Sequence, residues 1–270
     1  MQLTKHHGLG NDFLVLLDFN LDFNLDDAIR FDADLARALC DRRRGIGADG
    51  LIRVGPARGD ADVTMGLRNA DGSRAEMSGN GIRCLGQAVA RSRGHDTIDL
   101  VVGTDAGLRA LHVRPGPDRV TAAVDVDMGP ACPGPELSGL PVVVEATKAA
   151  TVDMGNPHLV LLVDDPASVD LDALGPACQD GFEQGINVEL VAPVRGTTDI
   201  LDLVVWERGV GITQACGTGA CAAASAAHEW GVAGERVMVR MPGGVVEVTL
   251  GATVTLSGPA VFVADIEVPG

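Results

Sequence analysis

The sequence has no tyrosine, two tryptophans and six phenylalanines among its 270 residues, so aromatic side chains cannot build its interior. Val, Leu, Ile and Ala must do so, and a hydrophobic content of 46% is enough to fill one large domain or two of ordinary size. Positive charge is scarce as well: 21 Lys and Arg stand against 37 Asp and Glu, a formal net charge of −16. That argues against nucleic acid or an anionic membrane as partner, because binding phosphates takes a surplus of Lys and Arg. The six cysteines (Cys40, Cys84, Cys132, Cys178, Cys216, Cys221) form no CxxC pair, which speaks against a metal site and a disulfide framework. No basic leader precedes an apolar run at the start, and no segment approaches the roughly 20 apolar residues of a membrane span. A cytoplasmic location is the expectation.

Glycine, by contrast, is abundant at 35 residues. Two Gly-x-Gly turns lead into helical patterns. Cys216 stands directly before Gly217-Thr218-Gly219 and an Ala-rich run that stops at Gly231; Ser78 stands before Gly79-Asn80-Gly81 and a second helix ending at Gly94. The first N–H groups of a helix lack internal partners and carry the positive end of its dipole, so an anion there is stabilised. On that basis Cys216 is expected to have a lowered thiol pKa, and an alkylating reagent to select it among the six cysteines.

The order of elements repeats. GNDFLVLL from Gly10 reappears as GNPHLVLL from Gly155, Gly45-Ile46-Gly47 is echoed by Gly185-Ile186-Asn187, and Gly79-Asn80-Gly81 by Gly217-Thr218-Gly219, at nearly one spacing. The four prolines between residues 130 and 141 mark the boundary, giving one half over 1–130, with 262–270 returning to it, and another over 131–261. Asp32 and Asp34 are placed to cap a helix running to about Arg43. Each half is expected to be an α/β (α+β) unit, a curved, mostly antiparallel sheet wrapped around a central helix of small residues, with the active site in the cleft between halves.

In this register Ser78 is the counterpart of Cys216. A hydroxyl and a thiol on opposite faces of one carbon could serve a racemase or epimerase that works without a cofactor, one group removing the α-proton and the other delivering a proton. No lysine sits in a recognisable pyridoxal phosphate motif. The helix N-termini could hold the substrate carboxylate and the charge developing on it.

The segments GLGNDF, RRGIGADG, NADGSRAEMSGNGIRC, MGNPH, GINVE and ERGVGITQACGTGACA resemble the diaminopimelate epimerase family. The resemblance implies cofactor-independent interconversion of LL- and meso-diaminopimelate in lysine and peptidoglycan precursor synthesis, by a homodimer whose partner is this small molecule. It implies catalytic roles for Cys216, Ser78, Glu207 and His158. Substrate binding would fall to Asn11, Asn69, Gly79, Asn80, Asn156, Asn187, Glu207, Arg208, Gly217 and Thr218, with Arg208 on the distal carboxylate, and no metal is implied. The family pattern has cysteine at both turns, so Ser78 is a departure: its hydroxyl could donate a proton but is a poor base. A one-base isomerase or dehydratase acting on another amino acid, and a non-catalytic amino-acid-binding protein, are the alternatives.

Overall fold

The computed structural model describes residues 1–18, 31–75, 77–137 and 146–269. They fall into two compact units, Met1–Val126 with the C-terminal residues from Pro259, and Asp127–Gly258. The proline-rich stretch at 130–141 runs into residues outside those described.

In chain order the first unit contains β1 (Gln2–Gly8), β2 (Asn11–Leu17), α1 (Ala33–Cys40), β3 (Gly50–Gly55), β4 (Val63–Asn69), α2 (Gly79–Ser92), β5 (Ile98–Thr104), β6 (Gly107–Pro115) and β7 (Thr121–Asp127). The second contains β8 (Cys132–Pro133), β9 (Lys148–Asp153), β10 (Pro157–Leu162), α3 (Leu171–Gln179), β11 (Asn187–Pro193), β12 (Ile200–Glu207), β13 (Gly211–Thr213), α4 (Gly217–Glu229), β14 (Arg236–Met241) and β15 (Gly244–Thr249). The last strand, β16 (Thr255–Glu267), begins beside β15 and continues beside β1.

In the first unit the strands run in sequence order from β1 to β7, and β16 pairs with β1. The Phe262 N–H donates to the Val120 carbonyl at 2.8 Å, so this sheet closes back on itself. In the second, the order is β16, β15, β14, β12, β11, β10, β9, β8. Each sheet wraps one helix: α2 touches β1, β2, β3 and β6, and α4 touches β9 to β12, β14 and β15. Small residues make this possible. The run Gly217–Ala227 is buried throughout, and a Cβ added at Gly86 of α2 would lie 3.0 Å from Leu111 on β6.

The pairings are mostly antiparallel, with β2–β3, β4–β5, β10–β11 and β12–β14 the parallel pairs among the described residues. Two expectations change. Asp32 does cap α1, accepting from the Leu35 N–H at 2.9 Å, but the helix ends at Cys40, three residues early. There the backbone turns aside so that the Ile46 and Gly47 N–H groups reach the Leu39 carbonyl. The echo of Gly45-Ile46-Gly47 in Gly185-Ile186-Asn187 also fails in detail. Parallel ladders set Phe13 opposite Gly50 and His158 opposite Asn187, so Gly50 and not Gly47 is the counterpart of Asn187. Ladder hydrogen bonds fix register; a shared glycine does not.

Candidate active site

Both helices start alike. Ser78 (φ −143, ψ 119) caps α2 and its Oγ accepts from the Gly81 N–H at 3.0 Å; Cys216 (φ −126, ψ 118) caps α4 and its Sγ accepts from the Gly219 N–H at 3.4 Å. A polar cap of this kind is worth about 1 kcal/mol to its helix, and it fixes where the hydroxyl and the thiol sit. The N–H groups of Gly79 and Asn80, and of Gly217 and Thr218, lie in first turns where the helix offers them no carbonyl.

Around Ser78 the asparagines are tied to one another. Asn80 is buried and donates to Asn11 Oδ1 at 3.2 Å, while Asn11 Nδ2 donates to Asp49 at 2.9 Å. Asn11 is delivered by the two-residue turn between β1 and β2, in which both Leu9 (φ 55) and Gly10 (φ 86) are left-handed, the conformation tight hairpins favour. Asn69 ends β4 and donates to Ser73 Oγ at 3.0 Å. Sequence reading passes over Arg83, which is fully buried in α2 and donates to the Gly79 carbonyl (2.9 Å), Asn80 Oδ1 (2.8 Å) and the Pro259 carbonyl (3.2 Å). It ties down the first turn of α2. An arginine within the apolar run of an otherwise small-residue helix is the signal that could have found it.

The second unit gathers Asn156, His158, Asn187, Glu207, Arg208, Cys216 and Thr218. Asn187 bridges strand ends: its Nδ2 donates to the Pro157 carbonyl and its Oδ1 accepts from the Arg208 N–H, both at 2.9 Å. Arg208 Nη1 donates to the Gln184 carbonyl at 2.9 Å. Glu207 Oε1 accepts from Thr213 Oγ1 at 2.5 Å, and its carboxyl stands close enough to the Cys216 thiol for each to shift the other's proton. Thr218 Oγ1 lies 3.5 Å from Cys216 Sγ. His158, wholly buried, has Nδ1 at 2.6 Å from Glu189 Oε1 and Nε2 at 3.0 Å from Asn156 Oδ1. Glu189 is the second residue that sequence reading passes over.

The electrostatics overturn one expectation. Burial pushes the Cys216 thiol well above its ordinary value, and the Glu207 and Glu189 carboxyls push it further; the Thr218 hydroxyl and the Gly219 N–H pull it down and are outweighed. The helix start favours a thiolate, but 5% exposure beside two carboxyls decides the sign. Burial likewise raises the Glu207 carboxyl, against the pull of Thr213, His158 and the thiol itself. The free protein therefore holds a protonated thiol at Cys216.

The reactivity expectation changes with it. Burial drives Cys40 and Cys178 to about 11 and Cys84 to about 12. Cys132 is the exposed cysteine. Iodoacetamide near neutral pH is expected to label Cys132 first and Cys216 slowly, as read by peptide mass mapping. Label appearing first on Cys216 would reinstate a lowered thiol.

The sequence profile of the family described as diaminopimelate epimerase matches residues 3–132 and 150–263. The chain is 39% identical to the diaminopimelate epimerase of Synechococcus elongatus, over 97% of this chain and 96% of that one. It is 40% identical to that of Erythrobacter litoralis, over 96% and 94%. Among solved structures, a probable proline racemase from Agrobacterium radiobacter superposes with a TM-score of 0.73 at 18% identity, covering 99% of this chain and 92% of that chain; at that identity the likeness is one of fold.

Proposed function

Because this chain belongs to the diaminopimelate epimerase family, we propose that it is an isomerase interconverting LL- and meso-diaminopimelate, with Cys216 as the competent base and Ser78 as its weaker counterpart. The observation that carries this reading is the matched pair of helix starts, each capped by a group able to exchange a proton. Cys216 Sγ removes the α-proton once Glu207 has taken the thiol proton. The electron pair left on carbon delocalises into the substrate carboxylate. We assign the backbone N–H groups of Gly79, Asn80, Gly217 and Thr218 to that charge. A proton then returns to the carbon from the other face, by way of Ser78.

The remaining residues suit the ends of a zwitterion. Asn11, Asn69, Asn156 and Asn187 offer neutral donors and acceptors, and Arg208 a planar fork for the distal carboxylate. We place the reaction in lysine and cell-wall precursor synthesis, in the cytoplasm and in a homodimer. Among the described residues no helix is long and apolar enough to cross a membrane.

Incubation with LL-diaminopimelate in deuterated water tests the reading. The expected product is meso-diaminopimelate carrying α-deuterium. Exchange or elimination without inversion would favour a one-base enzyme, which Ser78 makes the natural second reading. Binding with neither exchange nor inversion would leave only a binding protein.

A further inference from the structure

Glu189 has no task in the reaction as described, yet it occupies an expensive position. Its side chain is wholly buried on β11, Oε1 lies 2.6 Å from His158 Nδ1, and Oε2 has no hydrogen-bond partner. A carboxyl placed this way is costly unless its partner offsets the loss of water. Space has also been left for it. A Cβ on Gly219, in the first turn of α4, would fall 2.7 Å from Glu189 Oε1.

The first unit shows that the fold does not require it. Parallel ladders place Phe13 where the second unit has His158 and, two residues beyond Gly50, Ile52 where it has Glu189. The packing agrees: a Cβ on Gly81 would meet Ile52 Cδ1 at 3.3 Å together with the Ser78 side chain, as one on Gly219 meets Glu189 and Cys216. One half fills this layer with two apolar side chains, and the other with an acid and an imidazole. Packing alone would favour the apolar pair.

Protons can be counted along the chain of contacts. Asn156 Oδ1 accepts only, so the facing His158 Nε2 must carry hydrogen. At the other end a single proton lies between Nδ1 and Glu189 Oε1, on one atom or the other. With Oδ1 engaged, the half-buried Asn156 side chain is left with its two amide N–H donors.

We infer that Glu189 is a positioning residue: it holds one end of the His158 ring so that the other end secures Asn156 Oδ1 and leaves the Asn156 N–H pair for the substrate. This rests on the proposal that Asn156 binds diaminopimelate, and on nothing else in that reading. Glutamine at 189 can still donate to Nδ1 and preserve the arrangement, whereas isoleucine, the residue of the first unit, cannot.

The test uses the full chain with Glu189→Gln, Glu189→Ile and the double variant His158→Phe/Glu189→Ile. In ¹⁵N spectra of the imidazole, His158 is expected to be protonated at Nε2 in the parent and in Glu189→Gln, and to lose that fixed state in Glu189→Ile. KM for diaminopimelate should rise roughly tenfold or more in Glu189→Ile, and Glu189→Gln should recover most of it, since small misplacements of a binding group cost on this scale. The double variant should fold, with a melting temperature no lower than that of Glu189→Ile, and bind as poorly. An unprotonated Nε2 in the parent, or parental KM in Glu189→Ile, overturns the inference. If the parent fails to epimerise, the functional proposal falls, and the imidazole spectra still decide the role of Glu189.

Discussion

Ser78→Cys is expected to raise the rate of epimerisation by roughly 10²- to 10⁴-fold, the usual worth of a positioned general acid or base. The geometry is ready for it, since the backbone angles at Ser78 and Cys216 are nearly the same and each side chain accepts from the N–H three residues on. At the cap itself, what differs is the atom. An alcohol holds its proton far more tightly than a thiol, and one N–H bond at a helix start does not close that gap. The enantiomer whose α-proton meets Cys216 should exchange with solvent readily, and the one meeting Ser78 much more slowly. A cysteine at 78 should remove the asymmetry, and Cys216→Ser in the parent should leave neither face a usable base. Paired rates of inversion and of α-deuterium incorporation measure this. Unchanged or lower rates in Ser78→Cys would show that Ser78 is not the missing second base.

The second large effect is expected at Glu207. Its carboxyl and the Cys216 thiol act on each other's proton at close range, so they titrate as a pair. The pair becomes a base on losing its first proton, and that proton leaves at the carboxyl's value, raised above the ordinary range by burial. In the parent, kcat/KM should therefore fall as pH drops through this raised carboxyl value. Glu207→Gln removes the carboxyl, and the first proton must then come from the thiol. Gln also removes one charge that raises the thiol, but burial, the larger cause, remains and keeps it high. The acid limb should move up by several pH units. Each unit below the thiol value costs about tenfold in thiolate, so activity near neutrality should drop on the order of 10²-fold or more and recover at alkaline pH. Equal loss at every pH would mean that Glu207 serves only to shape the site.

The two helix starts were legible because glycine before an alanine-rich run is a local signal, and its repetition made the halves visible. Glu189 was not. In VELVAP it reads as the polar member of an alternating strand, but β11 is buried on both faces, with Val188 and Leu190 packed beneath α3 and Glu189 toward α4. Only the second helix layer turns an outward residue into an inward one. The thiol of Cys216 misled for a similar reason. A helix start can be read from spacing, whereas its desolvation and the approach of Glu207 and Glu189 depend on how β11 and β12 pack against α4. Arg83 was hidden because its partners include Pro259, near the other end of the chain.

The path of β16 bears on how the chain matures as it is made. Residues 127–258 are contiguous, so the second unit can assemble as soon as they leave the ribosome. The first unit cannot follow the usual N-terminal-first order. Leu3 and Thr4 on β1 wait for Asp265 and Ile266, so during synthesis the earliest strand carries an open edge on that side. Such an edge invites pairing with other nascent chains. The half translated first is thus the last to be sealed.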